Sequence, residues 1–141
     1  MSKGNTTEDN VLKLIFQSVA WADMPENDAT TPCGTLTVAL HTGDPGEAGT
    51  QGASETVYTN YARVGVVRSA AGWTVSAGSV SPAANIDFAE CGATPGGPIT
   101  HFSLGTGVAS MLLYSGVVTP NITMATGVIP RLKTTSTITE D

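Results

Sequence analysis

Thr35-Leu36-Thr37-Val38-Ala39-Leu40-His41-Thr42 places Leu36, Val38 and Leu40 on one side of an extended chain. A period of two, rich in Thr and Val, marks a half-buried strand. Gly43-Asp44-Pro45-Gly46 follows as a tight turn, with proline presetting φ and glycine supplying a positive φ after it. A long polar loop then runs to about Thr59.

Further strands are predicted on either side of that turn. Tyr61–Arg68 reads as a strand, and Ser69-Ala70-Ala71-Gly72 turns it into a second, Trp73–Ala77. Asn85–Phe88 is a short strand, followed by Ile99–Leu104, Met111–Val118 and Val128–Ile138. Pro130 lacks a ladder donor, which places the last strand at an edge or a bulge. Short strands at this spacing, separated by turn residues, predict a mainly β fold, an antiparallel β-sandwich or jelly roll. The composition agrees, with 21 Thr, 16 Gly and 8 Pro in 141 residues. The length fits one domain over 1–141, with a flexible arm at 1–6 and the β domain at 35–138.

One helix precedes the strands, predicted over 8–22. Thr7 is its expected N-cap, with Glu8 and Asp9 in the first turn where the helix dipole favours acids. Val11, Leu12, Ile15, Phe16 and Val19 fall near helical spacing, and Leu14 and Trp21 widen the apolar arc. Pro25 closes the segment, and residues 23–34 form a loop.

From Cys91 to Pro130 the chain carries no Lys, Arg, Asp or Glu. Gly and Thr interrupt this stretch too often for a membrane helix of roughly 20 apolar residues. Desolvating unpaired charge is costly, so charge is absent where water is excluded by the fold or by a partner. The feature points to assembly. Charged residues form only 13% of the chain and the net charge is −6, leaving no basic patch for nucleic acid.

Motifs for chemistry are weak. Gly105-Thr106-Gly107 lacks the third glycine, the following helix and the downstream acid of a dinucleotide loop. Cys33, His41, Cys91 and His101 are zinc-ligand types at spacings that fit no zinc module. Asp44, Glu47 and Glu55 share a loop without the alternating acids of an EF-hand. There is no G-x-S-x-G elbow, and nothing ties His41 or His101 to a nucleophile and an orienting acid. No cofactor and no catalytic residue are expected. The segment MSKGNTTEDN shows no apolar core before a cleavage site, so both cysteines are expected to be reduced. Most aromatic residues belong to the core, and Trp21 and Tyr58 are the candidates to meet a partner.

Leu40-His41-Thr42-Gly43-Asp44-Pro45-Gly46-Glu47-Ala48-Gly49-Thr50, followed by Tyr61-Ala62-Arg63-Val64, resembles a family of small tailed-bacteriophage virion proteins. Asn85-Ile86-Asp87-Phe88, Ile99-Thr100-His101-Phe102, Leu112-Leu113-Tyr114-Ser115-Gly116 and the segment from Asn10 to Asp23 extend the resemblance over nearly the whole chain. Members are often labelled tail fibre or minor tail proteins. The resemblance implies a virion protein assembled in the bacterial host cytoplasm.

A capsid decoration, or cement, protein is the expected role. It would bridge major capsid subunits and oligomerise as a trimer or another symmetric ring, through Leu12, Ile15, Phe16, Val19, Trp21 and Tyr58 and the uncharged strands. A tail, neck or baseplate accessory protein, receptor-facing through Gly43–Thr59, is the alternative. A soluble ligand- or glycan-binding module is the reading from another class.

Overall fold

Alternation in the chain becomes β1 (Thr35–His41), which pairs antiparallel with β6 (Ile99–Gly105), Leu40 opposite Phe102 and His41 opposite His101. β6 pairs on its other side with β7 (Leu112–Ile122), and β2 (Val64–Val67) flanks β1, giving the order β2-β1-β6-β7. A computed structural model describes residues 4–21, 33–107 and 111–139. These fall into two compact units, one drawn from 1–34, 67–86 and 133–141, the other from 35–66 and 87–132. The chain is mainly β, with antiparallel ladders and one N-terminal helix, as the composition implies.

In the first unit α1 (Asn5–Leu12) continues as a π-helical turn over Lys13–Gln17. Gly4, not Thr7, occupies the N-cap, and its carbonyl accepts from Thr7 N at 2.8 Å. The expected helix therefore starts earlier and stops earlier. Ser18 takes a left-handed conformation at φ 58°, and Val19 N–H returns to Lys13 O at 3.2 Å. Arg68 completes the ending. Its Nε donates to Ile15 O and its Nη2 to Leu14 O, each at 2.6 Å, satisfying carbonyls the truncated helix leaves open. The predicted helical residue 22, most of the 23–34 loop and residues 1–3 of the arm lie outside the described residues.

α1 rests on a hairpin of β3 (Trp73–Ser76) and β4 (Ser79–Pro82). Phe16 meets Trp73 edge to face, with centroids 4.9 Å apart, and Gln17 Nε2 donates to Trp73 O at 3.0 Å. Asp9 Oδ1 accepts from Gly78 N at 2.6 Å. Ala77 and Gly78 form the hairpin turn with φ of 50° and 69°, the two positive angles of a type I′ connection. β4 lies in a stretch where the sequence predicts no strand. It also pairs with β9 (Ile138–Thr139), closing the order β3-β4-β9.

The single strand predicted over Val128–Ile138 is two short pieces, β8 (Arg131–Leu132) and β9. A turn closed by Ser136 N–H to Lys133 O at 2.9 Å separates them. β8 pairs with β5 (Ile86–Asp87), and Arg131 Nη2 donates to Asp87 Oδ2 at 2.8 Å. Pro130 precedes β8, and its carbonyl accepts Phe88 N–H at 3.0 Å, so the missing donor breaks no ladder.

Candidate functional site

β1 is buried on both faces at its C-terminal end, from Val38 to His41. A polar ring at the end of such a strand must find partners inside the protein, and His41 does. Its Nδ1 lies 2.8 Å from Ala53 O, which can only accept, so Nδ1 carries the hydrogen. Nε2 then accepts from Ser103 Oγ at 2.7 Å. His41 and Ser103 are each 0% exposed. Burial holds the His41 pKa below its usual value, keeping the ring neutral.

Gln51 extends this network. Its Nε2 donates to Thr37 O at 2.9 Å and toward Ser103 Oγ at 3.4 Å, while its Oε1 accepts from Thr37 Oγ1 at 2.8 Å. β6 ends against it at Gly105, where a Cβ would fall 2.4 Å from Gln51 Oε1 and 2.1 Å from Met111 O. Only a glycine leaves room there.

Glu55 stands opposite His41 in an antiparallel bridge, with Thr56 N–H on Leu40 O and Thr42 N–H on Ser54 O, each at 2.9 Å. The 43–59 loop therefore returns to the edge of β1. Arg63 grips Glu55 with two bonds, Nε to Oε1 at 2.7 Å and Nη2 to Oε2 at 2.8 Å. Tyr61 OH donates to Glu55 Oε1 at 2.8 Å and accepts Leu40 N–H at 3.0 Å. Burial pushes the Glu55 carboxyl upward, but the bonds from Arg63 and Tyr61 outweigh it and hold the pKa below its usual value. Burial also raises both phenols, Tyr58 to about 12 and Tyr61 further.

Above this scaffold lies an open recess of about 480 Å³, lined by Glu55, Thr56, Val57, Tyr58, Tyr61 and Arg63, with Gly52 and Ala62. Val57 stands on it 79% exposed. The ring of Tyr61 meets Tyr58 edge to face at 5.2 Å and stacks on Phe88 at 6.4 Å.

A second surface is the edge strand. β7 ends its sheet, spans 11 residues and carries no charged side chain. Val117 in it is 64% exposed, and Met111 just before it 53%.

The residues singled out as partner contacts are placed unevenly. Leu12 and Phe16 are 0% exposed and Tyr58 is 2%, all three packed by the chain itself. Tyr58 OH donates to Ala89 O at 2.9 Å. Ile15 and Trp21 are half-buried, and Val19 is exposed beside Leu14. The first five share the N-terminal segment, whereas Tyr58 belongs to the other unit. Sequence reasoning missed Gln51 and Ser103, weighed Glu55 only as a cation ligand, and did not pair it with Arg63. The signal available was His41 itself, a polar ring in a buried strand that requires two partners.

No curated protein matches this chain. A family profile described as podophage GP4 fiber I protein gp80 matches residues 2–139. That description names a fibre, and it fits the tail alternative better than a capsid decoration protein. The chain therefore belongs to this podophage fibre family, and it is a structural component of the phage virion.

Proposed function

We propose that the chain is a subunit of a bacteriophage tail fibre, joined to neighbouring virion subunits through the β7 edge. The observation that carries this reading is the match of residues 2–139 to a fibre family. The edge supports it physically. An unpaired strand presents a row of backbone donors and acceptors, and free proteins protect such edges with charge, proline or bulges. β7 has no charge, and its proline and register shifts lie toward its two ends, leaving Tyr114–Val117 regular and unguarded. The uncharged stretch continues on both sides of it.

Ile15, Val19 and Trp21 supply a second apolar contact in this reading, and copies of the chain assemble with one another as a homo-oligomer. The role is mechanical. His41 and Ser103 are sealed from water and serve the scaffold, and the net charge of −6 disfavours direct binding to nucleic acid.

Gold-labelled antibody against the chain, viewed on intact particles by electron microscopy, tests the placement. Label confined to the tail at low copy number is expected. Label spread over the head in hundreds of copies overturns it and restores capsid decoration.

A further inference from the structure

We infer that the β7 edge of one copy pairs with the β2 edge of the next, so that subunits join head to tail through one continuous sheet. This rests on the reading of β7 as an assembly edge, and it names what covers that edge: the opposite rim of a second copy.

The first observation is that the four-stranded sheet ends in two open strands of matching length and character. β2 and β7 are its outer members, and neither pairs with a further strand among the described residues. β2 holds four residues, Val64-Gly65-Val66-Val67, and carries no charge. The regular part of β7, between the two register shifts of its ladder with β6, is Tyr114-Ser115-Gly116-Val117, also four. Val67 and Val117 stand on the two rims 47% and 64% exposed. The net charge of −6 is carried outside both strands, so no like charges meet in the joint.

The second observation concerns the charges beside β2. Free edges are guarded by charge, and an arginine stands at each end of this strand. Both are committed elsewhere. Arg63 Nε and Nη2 are bound to Glu55, and Arg68 donates to the carbonyls of Leu14 and Ile15. The rim between them is left apolar.

The third is Gly65, exposed in the middle of β2. A glycine inside a strand weakens it and marks a bulge, a bend or the close approach of another backbone. Its φ is not positive, so no left-handed bulge requires it, and a Cβ there would meet only Thr35 Cβ at 3.9 Å. Gly116 differs, because its Cβ would fall 3.1 Å from Phe102 Cε1. Nothing within the fold demands Gly65, whereas an incoming strand does use the space beside it.

Symmetry then selects the joint. Pairing β7 with β7 closes at two copies and leaves β2 open on each, whereas β7 on β2 repeats from copy to copy and leaves no interior edge bare.

Sedimentation velocity on the full-length chain, from about 1 µM to about 1 mM, tests this. The parent should associate. Gly65→Lys and Val117→Lys should each weaken self-association at least about tenfold. Mixed in equal amounts they should form a dimer that grows no further, since each brings the intact edge the other lacks. Val67→Lys repeats the β2 block if Gly65→Lys melts below the parent. The joint is overturned if the β2 variants associate like the parent, or if the mixture stays monomeric; β7 then remains an assembly edge with another partner. If Val117→Lys also associates like the parent, or the parent itself stays monomeric, the reading of β7 falls and this inference with it.

Discussion

Ser103 Oγ donates to His41 Nε2 at 2.7 Å while the opposite nitrogen of the same ring is committed to Ala53 O at 2.8 Å. In the neutral ring each nitrogen has its partner, Nδ1–H donating and Nε2 accepting. A proton on Nε2 would reverse the Ser103 bond and place a charge where burial excludes water.

That arrangement fixes a pH dependence. The folded-state pKa of His41 lies below its ordinary 6.5, so below that pH the unfolded chain binds more protons than the folded one. Stability contributed by the neutral ring is whole above pH 6.5 and declines as pH falls toward the folded pKa. Glu55 adds a second decline beginning near its ordinary 4.5, since its folded pKa is also lowered. Denaturant unfolding between pH 8 and pH 3 should show a plateau followed by both losses. His41→Asn should abolish the first. A stability curve rising below pH 6.5 would refute this account.

Glu55→Gln should destabilise the protein by about 1–3 kcal/mol, because Arg63 then keeps a charge without its counterpart and its Nη2 faces an amide N–H where Oε2 accepted. Side-chain exposures of 24% for Arg63 and 18% for Glu55 place the pair between the surface and buried cases. A double-mutant cycle with Arg63→Met measures the coupling. A coupling energy near zero would show that the two bonds contribute nothing.

Ala77 is a non-glycine residue at φ 50°, in a turn whose first position favours Asn. Ala77→Asn should raise stability by about 0.5–1 kcal/mol, as the left-handed cost for an L-residue is relieved. Gly78→Ala should act oppositely, since its Cβ would stand 2.8 Å from Glu8 Oε2 at φ 69°. Thermal melts of the two variants moving in the same direction would contradict the turn assignment.

Val117→Lys places a charge on the β7 edge at a side chain 64% exposed. The monomer should keep its stability within about 0.5 kcal/mol, as for other open surface sites. Self-association followed by light scattering should fall, because each copy would present like charge to its neighbour. Unchanged oligomer size would remove β7 from the interface.

Much of the fold is legible in the chain. Thr35–His41 and Ile99–Gly105 alternate or run apolar clearly enough to declare themselves, and Ser69–Gly72 turns as its small residues predict. β4 does not declare itself, because Ser79-Val80-Ser81-Pro82 holds one large aliphatic side chain and becomes a strand through the turn before it. The helix end is equally hidden. Its stopping point is set by Arg68, more than fifty positions downstream of the carbonyls it takes. The polar network around His41 and Glu55 shares this property. Thr37, Gln51, Glu55, Arg63 and Ser103 are unremarkable residues until loop closure brings them together. Periodicity reports which side of an element faces inward, and it carries no information about which distant polar groups meet there.

Attachment of the 43–59 loop depends on Gln51, Ala53, Ser54 and Glu55. Asp44, Glu47, Ala48 and Thr50, in the run ahead of them, all face solvent. Asp44 and Thr50 still brace the run locally, their side-chain oxygens accepting from Gly46 N and Gly52 N. Replacing Glu47 or Ala48 should therefore leave the sheet and the recess intact, so surface chemistry and loop attachment rest on separate residues of one segment.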